Sequence, residues 1–135
     1  MGIALAQLGQ YSEAVKSFDR ALAVRSDHAT WHNRAFSLRQ LGRFDESLQS
    51  LERAYELAPT ASDVLGDLVR ARQTLCDWSH WDNDISQLRE LAMRAEAVVH
   101  PFGLLAAIDA PEAHRAAATA WAAKRFPRFA GLGSV

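Results

Sequence analysis

The side chains best suited to chemistry are sparse in this sequence. His28 and His32 stand four residues apart, a spacing that puts both imidazoles on one helical face where a metal could bind. No Glu lies between them and no third ligand is within sequence reach, so the pair reads as a surface feature and no metal site is expected. Cys76 is the single cysteine. It can form no internal disulfide, it falls in a turn, and the adjacent Asp77 works against its thiolate. His100 sits before Pro101 at a helix end with no visible partner and reads as structural. Trp78, Trp81 and Trp121 fall at helical spacing and read as core. No nucleophile, base and orienting group converge, so the chain alone is not expected to be an enzyme or to hold a cofactor.

Whatever site exists must therefore be a surface, positioned by helices. The stretch from Asp27 to Pro59 reads as two amphipathic helices joined at Gly42, with apolar or small residues at Trp31, Ala35 and Leu38 on the first. Phe44, Ser47, Leu48, Leu51 and Ala54 continue the pattern on the second. Asp27 is a good N-cap for a helix over about 28–41, and the second runs over about 44–57 to Pro59. Small residues at Ala35, Ser47 and Ala54 let the two helices approach closely.

The hairpin recurs. Gly9, Tyr11, Ala14, Phe18 and Ala21 match Gly42, Phe44, Ser47, Leu51 and Ala54, and Leu41-Gly42-Arg43-Phe44 returns as Leu75-Cys76-Asp77-Trp78. A period of this length in helix pairs predicts a solenoid. These residues resemble the tetratricopeptide repeat, whose pattern Trp31, Ala54 and Pro59 meet directly, with Arg34 as a departure. The expected fold is all-α: a tetratricopeptide-type helical-hairpin solenoid with extra C-terminal helices. Residues 1–75 would be the repeats, the first one truncated and the third represented by its first helix; 76–125 a modified capping helix and post-repeat helices; and 126–135 an irregular tail.

Read in repeat register, the chain starts inside a repeat, as would a piece of a longer protein or one whose first turns were lost in the gene prediction. The helix from Tyr11 to Val24 then lacks part of its partner, and apolar surface around Tyr11, Val15 and Phe18 is expected to drive self-association. Thr60 and Asp63 look like a capping pair for a helix over about 61–75. An apolar series from Trp78 to Val99 predicts a long capping helix ended by His100-Pro101. A short helix over 102–108 follows, and Asp109-Ala110-Pro111-Glu112 opens an Ala-rich helix to about Arg125.

Composition narrows the partners. The formal net charge is -1, from 15 basic and 16 acidic residues interleaved along 135, which leaves no electrostatic footprint for nucleic acid or an anionic membrane. The alanine-rich apolar stretches are too short to cross a bilayer. With no secretory leader pattern, a cytoplasmic setting is the default. In a solenoid of helix pairs the first helices line the concave face, and Ala29, His32, Asn33, Phe36, Arg39 and Gln40 project there from the complete repeat. A carboxamide such as that of Asn33 can both donate to and accept from a peptide unit. A protein or peptide is the expected partner.

Leu75-Cys76-Asp77-Trp78, a following helix, His100-Pro101-Phe102-Gly103-Leu104-Leu105 and the Asp109 to Glu112 segment together resemble the repeat-to-catalytic junction of bacterial SPINDLY-like O-linked N-acetylglucosamine transferases. That resemblance implies a glycosyltransferase whose superhelix holds the acceptor protein, with Asn33 in an asparagine ladder along its backbone and Asp67 ending the ladder. It is also the one ground on which a catalytic role could be raised for His100, although Phe102 and Gly103 stand where relatives carry further histidines. The nucleotide-binding lobes are not in this chain, which would be the acceptor-presenting arm and inactive alone. The alternative is a stand-alone adaptor binding a partner peptide in the same groove, in which Asp63 and Asp67 would repel a C-terminal carboxylate.

Overall fold

The computed structural model describes residues 1–94 and 111–125. Seven helices lie among them: α1 (Gly2–Gln7), α2 (Tyr11–Val24), α3 (His28–Gln40), α4 (Phe44–Leu57), α5 (Ser62–Thr74), α6 (Trp81–Met93) and α7 (Pro111–Arg125). Each packs chiefly on the next in the chain, from α1 on α2 through to α6 on α7. This nearest-neighbour stacking is what a solenoid of helical hairpins requires.

One turn ends three of the helices. Gly9 and Gly42 take left-handed φ values of 74 and 73°, and Cys76 follows them at 55°. In each case the next residue's N–H reaches back five positions: Gln10 to the Leu5 carbonyl, Arg43 to Leu38 and Asp77 to Arg72, all at 2.9 Å. That is the Schellman closure, which favours glycine because a Cβ is strained in this region. Cys76→Gly is therefore expected to raise stability by about 1 kcal/mol, read as a higher urea midpoint with an unchanged denaturant slope.

The complete hairpin is close-packed for a visible reason. Ala35, Ser47 and Ala54 are all buried at the α3–α4 contact, and the Ser47 hydroxyl donates to the Ala35 carbonyl at 2.8 Å. Larger side chains would hold the backbones too far apart for that bond. Asp27 caps α3, its carboxylate accepting from the Thr30 N–H at 2.9 Å and the Thr30 hydroxyl at 2.8 Å.

Several sequence expectations need correction. The six-residue α1 suffices to cover α2: Val15 and Phe18 are buried, and a Cβ at Gly2 would meet the Phe18 ring at 2.5 Å. Of the apolar surface invoked for self-association, Val15 and Phe18 are thus already covered, and Tyr11 packs edge-on to Phe36 of α3. Thr60 and Asp63 form no cap, because a turn from Ala58 to Ala61 behind Pro59 delays the start of α5 to Ser62. Trp78 is 55% exposed and lies outside α6. The Asp77 carboxylate accepts from the Ser79 N–H and hydroxyl, a local turn that competes with helix formation and leaves Trp78 edge-on to Trp81. α6 is 13 residues long with its C-cap at Arg94, so it is an ordinary helix and not the long one expected. His100, the short helix over 102–108, the 109–110 start of the capping box and the 126–135 tail lie outside the described residues.

Two arginines tie successive layers. Arg34 on α3 donates to Asp19 on α2 and to Ser50 on α4, each at 2.7 Å. Arg72 on α5 pairs with Glu52 on α4 at 3.3 Å and with Asp84 on α6 at 2.7 Å. Arg34, the departure from the repeat pattern, is thus a cross-link where an apolar residue would only pack.

Candidate functional site: a groove pocket between successive repeats

The face shared by α3 and α5 carries a pocket of about 300 Å³. Ala35 and Phe36 of α3, Phe44, Ser47 and Leu51 of α4, and Ala71 and Thr74 of α5 line it, with Arg39, Asp67 and Arg70 as its charged members. The sequence builds it simply. Small side chains at Ala35, Ser47 and Ala71 leave room between the helices, while Phe36 and Phe44, each 42% exposed, stand as walls instead of filling it. Phe36 is held from two sides: Tyr11, outside the pocket, packs edge-on at 6.2 Å, and the Arg39 guanidinium lies 5.3 Å from its ring centre.

The electrostatics centre on Asp67. His32 Nε2 lies 2.8 Å from its Oδ2, Arg70 donates to its Oδ1, and Arg39 stands 3.9 Å from the same oxygen. Asp63 approaches the other ring nitrogen of His32 at 3.8 Å. The hydrogen bond to Asp67 raises the His32 pKa against the opposing effect of burial. For Asp67, burial pushes the pKa up, but the His32 bond and the Arg70 charge outweigh it and the net shift is down.

These shifts give stability a pH dependence of definite sign. The His32 contribution is complete below its unfolded value of 6.5 and is lost as pH rises through its raised folded value. The Asp67 contribution is present above 3.8 and lost as pH falls through its lowered folded value. The chain should thus lose stability between mildly acidic and mildly alkaline pH, and His32→Gln should flatten that part of the profile. Urea midpoints at several pH values for the two proteins check this; parallel profiles would remove His32 as the cause.

Of the residues read from sequence as facing the groove, Phe36 and Arg39 line the pocket, and His32 flanks it through Asp67. Asn33 is half-buried, with its carbonyl accepting from the Ser37 hydroxyl at 3.2 Å, while Ala29 and Gln40 are exposed; none of the three lines the pocket. Of the α5 wall the sequence reading had only Asp67, although repeat register contained more: Arg70 and Thr74 stand where Phe36 and Gln40 stand one unit earlier.

A succession of local hairpins, each helix packed on its neighbour and consecutive first helices sharing a groove, defines a helical-repeat solenoid. Residues 1–59 match the tetratricopeptide repeat family model, and the fold is all-α of that type. The crystal structure of PcrH in complex with the chaperone binding region of PopD is similar, with a TM-score of 0.60 at 20% identity over 90% of this chain and 80% of that one. This likeness concerns the fold. No curated protein matches the chain. Tetratricopeptide repeats are protein–protein interaction units, and among the described residues no helix is long and apolar enough to cross a membrane.

Proposed function

We propose that the chain is a peptide-binding adaptor or chaperone-like module, which holds an extended segment of a partner protein along α3 and α5 and seats one apolar side chain of it in the pocket. The pocket itself carries the reading: an apolar floor with two aromatic walls, open on the face shared by successive first helices. The similar PcrH structure, solved with a bound segment of PopD, supports a peptide-holding role for such a fold. Asn33, His32 and Gln40 would then meet the flanks of the segment along α3.

The glycosyltransferase-arm reading would use the same groove to present an acceptor. It rests on Leu75 to Trp78, which here forms the helix-ending turn common to all three units, and on residues outside the described ones. Neither the matching family model nor the similar structure is of a glycosyltransferase.

Selection of a random peptide library on the immobilised chain, followed by titration of the winners, tests the adaptor reading. Thr74→Trp, an exposed position on the pocket wall, should weaken the selected peptides at least about tenfold by filling the space. Arg53→Ala, at an exposed position away from the pocket, should leave them unchanged. Peptides indifferent to Thr74→Trp would place binding elsewhere and sink the proposal.

A further inference from the structure

We infer that the segment accepted by this pocket is acidic: an apolar side chain on Ala35, Leu51 and Ala71, with a neighbouring carboxylate taken by Arg39 and Arg70. The inference rests on the peptide-groove reading and adds the chemistry of the partner.

Three of the residues lining the pocket are charged, and two of them are arginines. The third, Asp67, would repel an acidic ligand if its charge were free, but it is engaged from three sides. His32 takes one oxygen at 2.8 Å, while Arg70 and Arg39 share the other. A guanidinium carries five N–H donors in a planar fork. Arg70 uses its contact with Asp67 on one side, and Arg39 stays at 3.9 Å, within ion-pair reach of that carboxylate but beyond hydrogen-bonding distance. Donor capacity therefore remains on both, beside a largely apolar cavity of about 300 Å³, roomy enough for a Leu or Phe side chain. Arg39 is further pinned over Phe36, which holds its charge at the pocket edge. Asp63, the other groove carboxylate, faces His32 Nδ1 at 3.8 Å and does not line the pocket, so a carboxylate entering there meets positive charge on both helices, whereas a lysine in the same place meets two like charges.

Short blocked Gly-Ser peptides carrying Glu-Leu-Glu, Lys-Leu-Lys or Glu-Ser-Glu at their centre, titrated into the isotope-labelled full chain by NMR, test this. The expected result is shifts at the Phe36 and Arg70 amides with Glu-Leu-Glu at least about tenfold tighter than Lys-Leu-Lys. Binding should weaken as salt rises from about 0.05 to 0.5 M. Glu-Ser-Glu should bind more weakly, since it leaves the floor empty. In the Arg39→Gln/Arg70→Gln protein the charge preference should fall to within about twofold. Should that double variant fail to fold, Arg70→Gln alone, at a side chain 55% exposed, must still reduce the preference. Equal binding of the Glu and Lys peptides at these amides overturns the charge inference and leaves the groove reading standing. No shift at the pocket amides with any of the three overturns both.

Discussion

Asp84→Ala should destabilise the chain by about 3–5 kcal/mol. Asp84 is 4% exposed, and its carboxylate meets Arg72, itself 9% exposed, at 2.7 Å. Removing it leaves a buried guanidinium whose Nε already lacks a partner and whose remaining counter-charge, Glu52, lies at 3.3 Å on the solvent side. The cost is that of an uncompensated charge and not the net worth of the pair. Arg72→Met combined with Asp84→Leu should recover most of the loss, because the desolvation penalty disappears together with the charges. Urea unfolding of the three proteins decides it; a loss below about 1 kcal/mol for Asp84→Ala would mean that water reaches the pair.

Leu68→Ala should cost about 2–5 kcal/mol. Leu68 is fully buried in a cluster with Ala35 and Leu51, with Leu48, Tyr55 and Ala71 packed around it, so α3, α4 and α5 all lose contacts when it is shortened. Leu57→Ala, at a side chain 51% exposed, should change the midpoint by less than about 0.5 kcal/mol. Similar losses at the two positions would contradict the core assignment.

Where the sequence was legible, local chemistry and repeat register agreed. α2 and α4 start and stop where expected, because Gly9, Gly42 and Pro59 punctuate them and their apolar periodicity is clean. Cys76 was readable as a turn residue only through its alignment with the two glycines. The failures have a common cause in contacts that the pattern does not encode. Trp78 looks like a helix-face core residue until the Asp77–Ser79 turn takes it out of the helix. His32 was weighed against His28 at helical spacing, yet its partner is Asp67, 35 residues away. The pocket was half visible: α3 showed Phe36 and Arg39 and the register carried to α5 showed Asp67, but Arg70, Ala71 and Thr74 beside it were not read.

The two arginine ties also say something about how such repeats can change. Arg34 and Leu38 on α3 are replaced at the equivalent points of α5 by Leu68 and Arg72, so leucine and arginine have exchanged places by one helical turn. Their partners have not moved, since Asp19 and Glu52 are equivalent, as are Ser50 and Asp84. One socket therefore accepts a guanidinium from either turn, and the substitutions that interconvert the two arrangements are strongly coupled. An intermediate with two leucines keeps the layer apolar and leaves Asp19, half exposed, to water. One with two arginines in that layer sets two cations against the single carboxylate of Asp19. In the α5 layer the same leucine pair would strand the buried Asp84, so that route is open only while the position holds an uncharged residue such as Ser50.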